Sequence, residues 1–217
     1  MVTKAPLLFL IILCCLSCCS KLMAKEGKKT ITISGNVTDF NDNAIDSAVV
    51  RIFHNDFSIA YETHSDKNGK YSFDSIKAGN YLAMYVIRQK EYPRMNAVLE
   101  NDMRLEFWAW NIIADSDLII NPHYHKLELY GTTVFEEFGG LPELYVYFRP
   151  MSVTKCINYG KDIYTDKNKM EEKDIDLSVS PEDIEVDVFA DDNQLIVNAI
   201  HPIYEQNSKK KKQSVIC

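Results

Sequence analysis

His64-Ser65-Asp66-Lys67-Asn68-Gly69-Lys70-Tyr71-Ser72-Phe73, followed by Ile76-Lys77-Ala78-Gly79-Asn80-Tyr81-Leu82-Ala83-Met84-Tyr85-Val86, decides the fold. Asp66-Lys67-Asn68-Gly69 is a turn sequence, because Asn and Gly adopt positive φ at little steric cost. Residues 70–73 then read as a short strand. Gly79-Asn80 predicts a second turn, and residues 81–86, rich in aromatic and β-branched side chains, a second strand.

Working outward, Thr30-Ile31-Thr32-Ile33-Ser34-Gly35-Asn36-Val37-Thr38 alternates with period two. That pattern predicts a half-buried strand with Ile31 and Ile33 inward and Thr32 and Ser34 outward. Gly35 inside it marks a kink or a close backbone approach. Asp39-Phe40-Asn41-Asp42-Asn43 is a turn, and residues 48–53 and 59–64 are further strands. Arg104-Leu105-Glu106-Phe107-Trp108-Ala109-Trp110 predicts a strand that closes the unit. Leu105, Phe107 and Ala109 share one face of it, and Trp108 and Trp110 share the other with Arg104 and Glu106. Residues 112–122 read as a connector. No window reads as a long helix, and short strands broken by turns every 8–12 residues indicate an antiparallel sandwich.

Taken as an ordered series, Ile33-Ser34-Gly35-Asn36-Val37-Thr38-Asp39, Ala48-Val49-Val50, Asp66-Lys67-Asn68-Gly69-Lys70-Tyr71-Ser72-Phe73 and Ala78-Gly79-Asn80-Tyr81 resembles the carboxypeptidase-regulatory-like, transthyretin-like β-sandwich family. The resemblance covers about residues 30–90, and it departs at Ala44-Ile45, where the family commonly has Gly-x-Pro. It implies a seven-stranded, usually non-catalytic module, common in envelope proteins of Bacteroidetes-type bacteria.

A second pass follows. Lys126-Leu127-Glu128-Leu129-Tyr130-Gly131-Thr132-Thr133-Val134 echoes residues 30–38, and Leu144-Tyr145-Val146-Tyr147-Phe148 echoes residues 48–53. Thr165-Asp166-Lys167-Asn168 repeats Ser65-Asp66-Lys67-Asn68. Ile184-Glu185-Val186-Asp187-Val188-Phe189 alternates, and Asp191-Asp192-Asn193 would turn a hairpin into residues 195–200. A period near 100 residues suggests tandem units. The copy is degenerate, since Lys169 replaces the turn Gly and a charged stretch is inserted over residues 167–174. The expected fold is therefore all-β: two tandem transthyretin-like or Ig-like antiparallel β-sandwiches, over 30–111 and 123–205, behind a signal segment at 1–24. A basic disordered tail is expected over 206–217.

Residues 6–16 are almost wholly apolar, the length of a signal-peptide core and too short to span a bilayer as a helix. Leu16-Ser17-Cys18 resembles a bacterial lipobox, with Cys15 where Leu is usual, so Cys18 is the expected lipidation site. Ordinary secretion with cleavage after Ala24 is the rival reading, and a retained anchor the third. Each places the body outside the cytoplasm: an outer-membrane lipoprotein held by its N-terminal lipid, or a periplasmic or secreted protein. Four of the six cysteines lie in this leader, so the fold does not rest on a disulfide framework; Cys156 reads as a small buried side chain. Residues 30–208 hold 30 of the 31 acidic residues and 15 of the 24 Lys and Arg, a net charge of −15. That balance argues against nucleic acid, whose phosphates need a basic face. The run Lys209 to Lys212 is a solvated tail in the plainer reading.

Catalytic and metal motifs fare poorly. His125-Lys126-Leu127-Glu128 has the His-x-x-Glu spacing of zinc carboxypeptidases, but residues three apart on a strand point to opposite faces. His123 and His125 do share a strand face, without an evident third ligand. The loop beginning at Asp39 resembles a calcium loop, yet Ala44 and Val50 occupy the positions of its Gly and Glu. No nucleophile elbow or phosphate-binding Gly-rich loop occurs. The expectation is no enzyme, no cofactor and no metal. Trp108 and Trp110, joined by Tyr81 and Tyr85, are the candidate ligand-stacking residues. They belong to a core or a joint between modules in the plainer reading, and to a glycan platform or a protein contact in the alternatives. The expected role is a binding or scaffold module for an envelope protein; a carbohydrate-binding accessory to polysaccharide uptake is the alternative.

Overall fold

The computed structural model describes residues 29–95, 97–137, 139, 143–160, 162–163, 166, 168–169, 175–207 and 211–216. The leader, including Cys18, lies outside them. Among the described residues no helix is long and apolar enough to cross a membrane.

Seven strands build one sandwich. Strands β1 (Thr30–Asn36), β4 (Lys70–Lys77) and β7 (Leu118–Ile119) form a three-stranded sheet in the order β4-β1-β7. Strands β2 (Val49–Phe53), β3 (Ile59–His64), β5 (Gly79–Ile87) and β6 (Phe107–Ala114) form a four-stranded sheet in the order β3-β2-β5-β6. All pairings are antiparallel except β1 with β7. The stretch expected to be a plain connector thus supplies the end of β6 and all of β7, and the sandwich runs on past residue 111. Ile31, Ile33, Val50, Ile52, Phe73, Met84 and Val86 fill the space between the layers. Burying such side chains stabilises by roughly 1.5–3 kcal/mol each relative to exposure.

Strict alternation would not give this core, and two left-handed residues correct it. Ser75 (φ 63°) sits where the β1–β4 register shifts, so Phe73 and Ile76, three apart, both point inward. Asn111 (φ 57°) does the same on β6: Phe107 and Ala109 before it, and Ile112 and Ala114 after it, face the same core. Gly35 is the close approach expected: a Cβ there would lie 1.9 Å from the Ile120 carbonyl oxygen. The chain after β7 lies against β1 at this point, with Ile120 N donating to Ser34 O (2.9 Å) and Tyr71 Oη to Ile120 O (2.7 Å).

The remaining chain forms a ribbon, β8 (Leu127–Glu136) and β9 (Leu144–Ser152), then helix α1 (Val153–Asn158). Ser152 caps α1 by accepting from Lys155 N. A short hairpin, β10 (Val188–Ala190) and β11 (Asn193–Leu195), turns at Asp191 as expected. The described residues of the stretch read as a disordered tail, 206–207 and 211–216, have strand backbone. β12 (Pro202–Asn207) pairs with β13 (Lys211–Ile216), and β13 meets β9 at Ile216↔Phe148, giving a sheet in the order β12-β13-β9-β8. Ile203 pairs with Val215, both β-branched and strand-forming, and Lys211 and Lys212 lie within the paired stretch.

The class is all-β with antiparallel layers. Among the described residues, 123–205 contribute the β8–β9 ribbon, the β10–β11 hairpin, helix α1, a 3-10 turn at Pro181–Asp183 and most of β12, which do not close a second sandwich. The physical reason is a shortage of private core. Val153 packs with Met103 and Leu105, both from the segment between β5 and β6, and Ile157 joins them with Tyr92 and Val98. The repeated turn motif survives locally: Asp66 accepts from Asn68 N (2.8 Å) and Asp166 from Asn168 N (3.0 Å). The first leads into β4, whose Tyr71 and Phe73 join the core.

Candidate functional site: an aromatic joint over a buried carboxyl pair

Cross-strand pairing assembles the aromatics. On the outer face of the four-stranded sheet Arg51, Tyr85 and Trp108 lie opposite one another, as do Phe53, Ala83 and Trp110 in the next row. Ala83 is small enough to leave room between its two aromatic neighbours. The Trp108 and Trp110 rings stack at 4.9 Å and 14°, Phe53 stacks on Trp108 at 6.0 Å, and Tyr85 lies 4.6 Å from Trp108. Tyr130, from β8, meets both indoles edge-on at 5.7 and 5.2 Å. The two tryptophans are half-buried. Tyr81 is not part of this strip. The reset of alternation opposite Asn111 turns it into the core, 6% exposed, where its hydroxyl donates to Lys77 O (2.6 Å). Of the four candidate stacking residues, the structure thus brings together Trp108, Trp110 and Tyr85 and places Tyr81 elsewhere.

Beneath the strip lies a carboxyl pair that no sequence motif announces. Glu106, just before β6, accepts from Trp108 Nε1 (2.9 Å) and from Tyr85 Oη (2.8 Å). Glu128 of β8 is 3% exposed, with Glu106 as its nearby acidic neighbour. Burial and the neighbouring Glu106 push the Glu128 carboxyl up to about 9. The same surroundings push the Tyr85 and Tyr92 hydroxyls up, burial first and Glu106 second. Period-two alternation gave the opposite signal, since Leu127-Glu128-Leu129 reads as two inward Leu around an outward Glu, whereas Leu127 and Leu129 are exposed and Glu128 is buried.

The motifs considered for metals are engaged otherwise. Asp39 accepts from Asn41 N (2.9 Å), Asn43 N (3.0 Å) and Arg104 Nη2 (3.2 Å). Burial raises its carboxyl, but these hydrogen bonds outweigh that and hold it at about 2. Arg104 also donates to Glu91 Oε2 (2.6 Å), and Arg88 donates to Glu91 Oε1 (2.9 Å). His123 Nδ1 pairs with Thr38 Oγ1 (3.1 Å), and the Phe40 ring packs against both His123 and His125. Burial lowers His125. His125 lies in a bend before β8, and Glu128 lies within the strand. Among the described residues no three His, Cys, Asp or Glu side chains gather as a metal site. Cys156 is buried.

The ribbon carries a second surface. Its register slips by one residue between Tyr130 and Thr133, at Gly131 (φ 67°). An extra residue reverses the alternation, so Leu127 and Leu129 before the bulge share a face with Val134 after it. Leu129 is 42% exposed, Val134 57% and Leu144, two residues from the Val134 partner Val146, 56%.

Residues 32–88 match the family described as carboxypeptidase regulatory-like domain. No curated protein matches the chain. Among solved structures, DUF3823 family proteins of Bacteroides ovatus and Parabacteroides merdae are similar at 13% and 11% identity, each over 57% of this chain and 58% of the other, with TM-scores of 0.31. The Bacillus anthracis TIE protein is similar at 9% identity over 57% of this chain and 26% of its own, also at 0.31. The chain thus spans under two thirds of each, and likeness at this level carries no argument about role.

Proposed function

From a chain whose residues 32–88 match the carboxypeptidase regulatory-like domain, we propose a non-catalytic scaffold module of the bacterial cell envelope that makes protein–protein contact. The observation that carries the reading is the apolar row on the β8–β9 ribbon, where Leu129, Val134 and Leu144 stand exposed. Apolar surface of this kind, rimmed by polar residues such as Thr132 and Glu136, suits a partner protein better than water. The titratable side chains Asp39, Arg104, Glu91 and Arg88, by contrast, are tied to one another by hydrogen bonds. A glycan platform needs open indole faces. Here the tryptophans stack on each other and on Phe53 and are capped by Tyr130, which takes away that reading's support.

Export rests on residues 6–16, and anchoring on Leu16-Ser17-Cys18. Labelling cells with radioactive palmitate should mark the wild type and not Cys18→Ala; equal labelling removes Cys18 as the anchor. For the contact itself, a photo-crosslinking residue at Val134 should yield a discrete adduct with an envelope protein. The same residue at Asp74, exposed on β4, should yield none. Adducts at neither position, together with glycan binding lost in Trp108→Ala, would overturn the scaffold reading in favour of carbohydrate.

A further inference from the structure

We propose that the end of the sandwich at which the chain enters through Lys29 rests on a lipid bilayer, with the side chains of Phe57, Ile59 and Ile113 set into its headgroup and acyl boundary.

Backbone pairing fixes which residues share that end. Thr30 of β1 lies opposite Lys77 at the end of β4, and Ala78 N donates to Lys29 O (2.8 Å). There β5 starts at Gly79, opposite Ala114, the last residue of β6, and Lys29 Nζ donates to Asp115 O. Phe53 pairs with Ala83, so the loop 54–58 runs on to the level of the first residues of β5, where the His54 ring meets Tyr81 at 5.9 Å. At this end Phe57 is 53% exposed, Ile59 49% and Ile113 64%. All three belong to the outer face of the four-stranded sheet. Ile59 lies opposite Phe53, Ile113 stands between the inward Ile112 and Ala114, and the Phe57 ring meets Phe53 at 6.4 Å and Trp110 at 6.5 Å. The exposed patch thus continues the tryptophan strip to the end of the sandwich.

The loop holds Phe57 in a conformation that bulky side chains rarely adopt, at φ 64°. Phe57 N donates to His54 O (2.9 Å), His54 N to Ser58 O (2.9 Å) and Ser58 N to Asp56 Oδ1 (2.9 Å), so the tip is fixed before any contact is made. Apolar area presented on a rigid tip enters an interface with little ordering cost.

The tether selects a bilayer as the occupant, and the contact depends on the anchor at Cys18 proposed above. Ten residues, 19–28, separate that Cys from Lys29. Fully extended they reach roughly 35 Å. At that range the lipid surface meets the patch at an effective concentration on the order of millimolar, so a few apolar side chains suffice. The tether carries Lys21, Lys25 and Lys28 against Glu26, and Lys29 and Lys77 are exposed where it joins the sandwich. These cations favour anionic headgroups. Of the acids at the same end, Asp56 accepts from Ser58 N and Asp117 from Thr32 N (2.8 Å). Leu99 is more exposed still, at 77%, but it lies in the segment that leaves β5 at the opposite end.

Photo-crosslinking in cells tests the contact on the full chain, with benzoylphenylalanine at position 57, 113 or 99. Mass spectrometry should find phospholipid adducts at 57 and 113, and at least fivefold less at 99, although exposure alone predicts the reverse order. Position 113 decides if the chain altered at 57 does not fold. No lipid adduct at 57 and 113, equal lipid adducts at 99, or protein adducts there in place of lipid would each overturn the contact. Palmitate labelling of the same cells separates the two proposals. A labelled Cys18 without lipid adducts at 57 and 113 removes the contact alone. Lipid adducts at those positions with Cys18 unlabelled remove the anchor and keep the contact.

Discussion

A methyl group on residue 35 has nowhere to go: it would stand 1.9 Å from the Ile120 carbonyl oxygen, a backbone atom that also accepts from Tyr71. Gly35→Ala should therefore cost about 2 kcal/mol or more, as overpacking against backbone does. Urea unfolding measures it, and a change below about 0.5 kcal/mol, the size of an ordinary surface substitution, would contradict the close approach. Two carboxyls act on stability with opposite signs. Asp39 is held at about 2 in the fold, below its usual 3.8, so its contribution is present above that value and is lost as pH falls towards 2. Glu128 is raised from 4.5 to about 9, so the folded protein keeps a proton that the unfolded chain releases. Its contribution is full below pH 4.5 and is lost as pH rises towards 9. Thermal unfolding followed from pH 5 to 9 should show Tm falling less in Glu128→Gln than in the wild type. Parallel slopes would mean that Glu128 does not hold its proton.

Among the elements, β4, β6 and β8 each carry one irregular residue that decides which side chains face inward. On β6 this is Asn111, at φ 57°, a conformation Asn tolerates and β-branched residues avoid. Asn111→Val should cost about 1–3 kcal/mol, while Asn111→Gly should stay within about 1 kcal/mol of the wild type. Denaturant midpoints compare the two, and equal loss in both would show that the Asn side chain, not its backbone, matters. On β8 the bulge at Gly131 keeps Val134 in line with Leu129. Without it Val134 would join the face of Glu128 and Tyr130, and the exposed row would be broken.

At the level of the whole molecule, the apolar cluster between the two sheets draws its members from residues 31–124, Tyr124 being the last. The second cluster is shared, with Met103 and Leu105 on one side and Val153 on the other. Residues 29–125 should accordingly fold alone with a cooperative thermal transition by circular dichroism, and residues 126–217 should not. A cooperative transition in the latter would reveal a private core there. Much of this was legible beforehand. The alternation of Ile31 and Ile33, the Asp66-Lys67-Asn68-Gly69 turn and the Gly35 close approach are local, and local sterics and period-two burial dictate them from the residues alone. The strands of the first unit and its membership of the β-sandwich class followed. What depended on distant chain did not follow. The parity reset at Asn111 took Tyr81 away from Tyr85, β7 emerged from an apparent connector because β1 offered it a parallel edge, and Glu128 was buried where β8 packs its Tyr130 against the two tryptophans. Period and propensity describe a strand and its own two faces. Which surface each face is pressed against, and so which carboxyl keeps its proton, is decided only when the layers pack.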